Sequence, residues 1–484
     1  MKKLLSLLLA LALCLGLGGM ALASGDPSPA ATADTPTYGY AGDYDRDTAS
    51  GAVNHASGEM TIDGETIFAM DGSAIQNSGN TDLVVRNSYV EGDTTASTEP
   101  LAGNPGNLLV AGNIRTTLAI GHAQAYYVNS TVVSRNWAAL STDAAEPALA
   151  EGEKELSLYA YGTLAKTTDG GYGAYSDLFC NLFSYGSRIQ SAEIGIISGT
   201  YGRVTVGTIG DGEADPAMAA HLTAADMAAR PDKELGSIIS GGRNAIMIHS
   251  VNLPPYWAYE GYSQTELPLY ATEVTVTGST LATDLSLDKH VQYDAQKQAY
   301  IDHTAGSVIL IKSTNTDIRL DHSRLVADAN GTGAIIHSVY NNDTMFMNAV
   351  PDGMNYPGIR ITMTDMDAVS GDVIHEDYQR DLYLTLDGST LTGAIRSYDC
   401  GHWNQVAQAE GFTNYALDAS YETAHGAHLT VQNGAVWVVT GESNLLSFTV
   451  DASSLVVGTM TVNGVETPIL PGAYEGDIVL TPLA

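Results

Sequence analysis

Between Asn244 and Asp399 one short phrase recurs: NAIMIHSV (Asn244–Val251), SVILIKST (Ser307–Thr314), GAIIHSVY (Gly333–Tyr340), GDVIHED (Gly371–Asp377) and GAIRSYD (Gly393–Asp399). Each copy has a small or polar start, an apolar pair or triplet, one basic side chain and a polar residue. A second phrase precedes most copies, as in VTVTGSTL (Val274–Leu281), IRLDHSRL (Ile318–Leu325) and LYLTLDGSTL (Leu382–Leu391). Together the two span roughly twenty-odd residues, a period that signals a solenoid. The reading is all-β: a right-handed parallel β-helix with loop insertions, one short helical insertion and a small C-terminal β cap.

Strand periodicity supplies the reason. Alternate side chains of a strand point to one face, so Val274, Val276 and Leu281 point inward and Gly278-Ser279 takes the corner. Asn129-Ser130, Gly162-Thr163, Gly186-Ser187, Gly388-Ser389 and Asn433-Gly434 hold the same place in other copies. Such residues accept the backbone angles that a sharp corner demands. Stacking of rungs places His249, Lys312, His337, His375 and Arg396 in one expected column along an edge. Between Asp211 and Gly236 the character changes. DPAMAAHLTAADMAARP opens with Asp-Pro, an N-cap followed by proline in the first turn, and predicts a short surface helix ending before Pro231.

Residues 1–23 read as a secretory signal: Lys2 and Lys3, an apolar run, then Ala21-Leu22-Ala23. Residues 24–57 read as a flexible leader, 58–458 as the β-helix and 459–484 as capping strands. The expected product is exported and free, or held to the cell envelope, with no membrane insertion once the signal is cleaved. The net charge of −34 at pH 7 excludes nucleic acid and disfavours polyanionic ligands. Beyond the signal, Cys180 and Cys400 lie far apart in sequence and predict two separate thiols.

The basic column has two readings. Its members end strands and face water beside acids such as Glu376, Asp377 and Asp399, or they grip an anionic or hydroxyl-rich polymer laid along the rod. Aromatic excursions offer further glycan contacts, because exposed Trp and Tyr are enriched where ligands bind. The candidates are Tyr256, Trp257, Tyr259 and Tyr262 after His249, and Trp403 after Arg396. Asp-His pairs occur at Asp302-His303 and Asp321-His322. Glycoside hydrolysis needs two carboxylates at a set separation, and Asp365 with Asp367 or Glu376 with Asp377 are candidates. No cofactor is expected. Calcium is compatible with the acidic stretches Asp211–Asp215 and Asp43–Asp47. Zinc is disfavoured: the one close histidine pair, His425 and His428, has no evident third ligand.

The phrases NSTVVSRNWAALSTD, GGYGAYSD, GSVILIKS and PGAYEGDIVLTP resemble exported right-handed β-helix proteins of anaerobic gut bacteria, pectate-lyase-like in fold and uncharacterised in function. The resemblance runs from about Gly106 to the end and implies the fold and export, with no catalytic residue to carry over. The catalytic elements of pectate lyases and polygalacturonases are missing here. The expectation is a non-catalytic, adhesin-like or glycan-binding surface protein. The alternatives are a polysaccharide lyase or glycoside hydrolase with a groove beside the same edge, and a structural envelope protein.

Overall fold

The computed structural model describes residues 38–483, apart from 94–114, 250–270, 289–292, 295–298, 301–303, 340–357, 398–424 and the short gaps 71, 136, 144, 146–148, 200, 313 and 378–379. The chain winds as an all-β parallel solenoid whose rungs contribute strands to three stacked walls. The longest wall is a fifteen-stranded sheet running from Glu59–Asp63 through Thr272–Thr277 and Ala427–Gln432 to Ser443–Val450 and the closing strands. A second wall runs from Thr66–Met70 to Arg324–Val326 and resumes at Val369–Ser370. The third holds Ala138–Ser141, Tyr172–Ser176, Ile194–Gly199, Asn244–His249, Ile309–Lys312, Ala334–Val339, Asp372–Glu376 and Ile395–Ser397. Ladder hydrogen bonds pair each rung with the next, as Val274↔Ile318↔Ile361↔Leu384↔Leu429. Those side chains are almost wholly buried and line one continuous apolar core.

The corners follow the sequence reading. Asn129, Gly162, Gly186, Gly278, Gly388 and Asn433 all take φ between 48° and 62°. His322 and Asp365 occupy the same left-handed corner in intervening rungs, with φ 45° and 47°. The residue after the corner is a buried hydroxyl in most rungs, and these hydroxyls form a ladder. Ser130 Oγ accepts from Ser88 N at 3.2 Å, Thr163 Oγ1 from Ser130 N at 3.3 Å, Ser187 Oγ from Thr163 N at 3.0 Å, and Ser237 Oγ from Ser187 N at 3.0 Å. Each turn therefore supplies the acceptor for the corner amide of the turn before. Truncating Ser187 to alanine removes the side chain that receives the buried Thr163 amide, at a cost of about 1–3 kcal/mol. The expected observation is a lower urea midpoint at unchanged slope.

The helical insertion is broken into α1 (Ile209–Ala214), α2 (Pro216–Ala219) and α3 (Ala224–Ala228). Two capping boxes and one Asp-Pro start explain the breaks. Thr208 and Asp211 open α1, Asp215 caps Pro216 of α2, and Thr223 with Asp226 opens α3. The single surface helix expected from sequence is thus three short turns, and they cover the wall. Ile209 and Met218 pack with Tyr126, Tyr159, Tyr161 and Tyr185 in a second apolar cluster outside the coil. Asp226 grips Arg86 across the wall at 2.6 Å. Buried Arg230 donates to Asn129 Oδ1 at 2.6 Å and to the carbonyls of Gly39 at 2.9 Å and Gly162 at 2.8 Å. The stretch read as leader also touches the coil: Tyr38 Oη donates to Gly236 O at 3.0 Å, and Val53–His55 is already a strand paired with Ile75–Ser78.

At the other end, Gly472–Thr481 runs antiparallel to Ser443–Val450 and pairs with Thr459–Val462. This hairpin occupies the edge of the last parallel strand, which blocks further strand addition there.

Candidate functional site

The register distributes the basic residues over three rows, not one column. His249 stacks on Lys312, and the same row continues as Val339 and Glu376. His337 shares a row with Leu310, Ile374 and Arg396. His375 shares a row with Ile311, Ser338 and Ser397. The phrases that looked alike differ by one or two residues in the spacing from their first apolar position to the base, and one residue reverses the face of a strand. Tyr256, Trp257, Tyr259, Tyr262 and Trp403 lie outside the described residues, as do Cys400, Asp302 and His303. Cys180 is a buried free thiol whose pKa burial raises.

Two of the five basic residues are walled in. His337 and His375 are each only 2 % exposed. His375 belongs to the inward row, where Ile248 and Ile311 are core residues. Its Nε2 donates to the Arg380 carbonyl at 2.9 Å, so its Nδ1 accepts the Ser338 hydroxyl proton at 2.6 Å. His337 Nε2 donates to Glu376 Oε2 at 3.0 Å. Arg380 pairs with Asp377 Oδ2 at 3.0 Å, with both side chains buried. Lys312 and His249 are half-buried, and Arg396 pairs with Asp372 Oδ2 at 2.7 Å. These are wall-building contacts, and Glu376 and Asp377 are both held in them.

Burial pushes the His375 pKa below its ordinary 6.5, against the opposing pull of Asp377 and the Arg380 carbonyl. The sign of the pH effect follows. Above about 6.5 both folded and unfolded chains carry neutral His375. Below it the unfolded chain takes a proton that the folded chain refuses, so stability falls from about pH 6.5 down through the lower folded value. Urea midpoints at pH 7.5 and 5.5 should differ more for the native chain than for His375→Gln.

The outer face of the long wall divides in two. In the N-terminal half Tyr126, Tyr159 and Phe183 stack one per rung, with centroids 4.7 and 4.5 Å apart, beneath the helical insertion. Tyr126 is 1 % exposed there, whereas Tyr383 in the C-terminal half is 39 % exposed. Tyr383 stacks on His428 at 4.6 Å, and the Arg360 guanidinium lies 5.5 Å from the ring centre on the neighbouring rung. Beside this stack runs a hydroxyl row, Thr362↔Thr385↔Thr430↔Thr449, half-exposed at the first three and exposed at the last. Acids flank it: Glu273 and Asp317 in the row of Arg360, Asp321 and Asp387 in the row beyond.

Asp381 stands beside the stack, one residue before its strand. Its Oδ1 accepts from Gly426 N at 2.9 Å and lies 3.3 Å from His425 Nδ1 and 3.5 Å from His428 Nε2. Burial alone raises the Asp381 pKa, but the His428 imidazole, the Gly426 amide and His425 bring it down to about 2. The histidine pair therefore has a carboxylate beside it, but the three donor atoms do not all come within 4.8 Å of one another. The signal was register: Leu382 pairs with Ala427, so the residues just before each strand become neighbours. Asp321, His322 and Asp365 form another group, at the exposed corner, with donor atoms within 4.8 Å of one another. The acids considered for calcium serve as caps: Asp211 in α1, Asp215 at α2 and Asp45 before Arg46–Thr48.

Compared with known protein families, curated proteins and solved structures, the chain matches none. Fold and surface define its class, an all-β parallel solenoid with a helical insertion packed on the N-terminal half of its outer wall. No helix among the described residues is long and apolar enough to cross a membrane.

Proposed function

We propose that the chain is an exported right-handed parallel β-helix that binds a neutral, hydroxyl-rich polysaccharide on the C-terminal half of its long wall and does not cleave it. Right-handed winding is supported by the general rule for crossovers between parallel strands of one sheet, about 98 % of which are right-handed. The observation that carries the binding reading is the contrast on one face. Where the wall is aromatic, the helical insertion covers it. Where it is threonine, tyrosine, arginine and histidine, exposed or half-exposed at a constant rung spacing, no described element covers it. Both faces of the Tyr383 ring are taken, by His428 and Arg360, so contact is made through its edge, its hydroxyl and the neighbouring threonines. The chain's negative charge and the flanking acids favour an uncharged polymer over a polyuronate. The non-catalytic reading is supported by Glu376 and Asp377, which are sealed against His337 and Arg380.

A glycan panel tests this. Purified protein should retain a neutral polysaccharide without producing new reducing ends or unsaturated products. Tyr383→Ala should weaken retention about tenfold, or about 1.4 kcal/mol. Products would transfer the case to a hydrolase or lyase. Retention of no glycan would favour a structural envelope role.

A further inference from the structure

The second wall turns a different face to solvent. From the rung of Leu164–Thr167 to that of Arg324–Val326 its outward positions form two rows. One is Leu164↔Arg188↔Ile238↔Thr280↔Arg324, the other Lys166↔Gln190↔Ser240↔Ala282↔Val326. The row between them, from Ala165 to Leu325, belongs to the core. Every residue of the two outer rows is half-exposed or exposed, and none is acidic. An acid-free face is out of keeping with a chain of 55 acidic and 21 basic side chains. Elsewhere the bases have acids within reach, as Arg46, Arg86, Lys154, Arg203 and Arg243 do. Lys166, Arg188 and Arg324 make no ion pair and no side-chain hydrogen bond among the described residues, and the buried Arg188 Nε lacks any acceptor. All three stand on this one wall.

We propose that this strip binds a polysaccharide carrying sulfate or carboxylate groups. Strand rise and rung spacing put the Lys166 and Arg188 Cα atoms roughly 8 Å apart, and Arg324 stands three rungs beyond Arg188, about 14 Å along the coil. Two close cations without a counterion are the anchor for one oxyanion, which a guanidinium fork grips in bidentate fashion. Arg324 takes a later one along the same polymer. Gln190, Ser240 and Thr280 fill the rungs between with amide and hydroxyl groups for sugar hydroxyls. An acidic polypeptide fits less well, because protein partners anchor on exposed Trp and Tyr and neither row holds an aromatic residue. The acids elsewhere on the chain do not forbid an anion here: the screening length is about 8 Å at physiological salt. The acid of this wall, Glu91, lies buried in the first rungs with Arg46 at 2.9 Å and Arg135 at 3.4 Å. The strip is on a different wall from the neutral-glycan face and does not depend on it.

Beads bearing dextran, dextran sulfate or carboxymethyl dextran test it, since the backbone is constant and only the charged group varies. At about 50 mM salt one or both charged beads should retain the full chain more strongly than plain dextran does, and the excess should vanish by about 500 mM. Whichever derivative gives the excess identifies the group. Lys166→Gln combined with Arg188→Gln should weaken the excess at least about tenfold, as loss of charge-assisted hydrogen bonds does, and Arg324→Gln about threefold. Arg203→Gln and Tyr383→Ala, both on the long wall, should leave it unchanged. Circular dichroism establishes that each variant is folded. No excess on either derivative, or an excess indifferent to the double substitution, would overturn the strip. Retention on polyglutamate beads and on neither dextran derivative would assign it to acidic polypeptides and overturn the glycan ligand.

Discussion

Replacing Asp226 by alanine should destabilise the chain by about 3–5 kcal/mol, the usual cost of removing one partner from a buried ion pair. Asp226 is 2 % exposed and lies 2.6 Å from the Arg86 guanidinium. The same carboxylate also accepts from Thr223 N at 2.8 Å and Thr223 Oγ1 at 2.7 Å, so the cap of α3 goes with it. Loosening the insertion uncovers Tyr126, Tyr159 and Phe183, so binding of a hydrophobic dye at low urea should rise before the coil itself unfolds. Asp226→Asn keeps the shape and the cap acceptor and should lose less. A variant that melts like the native chain and binds no dye would show that the insertion docks without this pair.

Trp437→Ala should cost about 3–5 kcal/mol, as for other large aromatic truncations in a core. Trp437 is fully buried among the final rungs. Its indole N–H donates to Gly393 O at 3.0 Å, and its ring meets Phe448 edge-on at 6.3 Å. The alanine leaves a cavity and strands a buried carbonyl acceptor. Because each rung of a solenoid rests on its neighbours, the loss should be local. Hydrogen exchange should quicken across Ala427–Gln432 and Ser443–Val450 while Ser157–Tyr161 keeps its protection. Uniform loss of protection would mean that the coil unfolds as one unit.

Much of this architecture was legible in the amino-acid order, and particular residues show why. Gly162, Gly186, Gly278 and Gly388 mark corners because a left-handed angle is costly for most other residues. The apolar alternation of Val274 and Val276 fixes which face is inward. His322 and Asp365 were harder to place, since neither is glycine or asparagine and yet both take the same corner. The basic column failed for a related reason. Counting from the first apolar residue cannot reveal an irregular register such as the one between Ala334 and Ile336, and a single residue separates the inward His375 from the outward His337. Asp381 was missed because its neighbours His425 and His428 are close only through stacking across the intervening chain. The covering of Tyr126 by α1–α3 was also beyond reach, because an insertion's composition says nothing about which face receives it.

Hydroxyl-radical footprinting of the intact protein, with and without a retained neutral polysaccharide, tests the binding face most directly. In the free protein Tyr383 should oxidise readily while Tyr126 and Tyr159 resist, as their exposures of 39 %, 1 % and 5 % require. With saturating polysaccharide, Tyr383 and His428 should become protected and the others should not change. Protection that leaves Tyr383 reactive would place the glycan elsewhere and contradict the account.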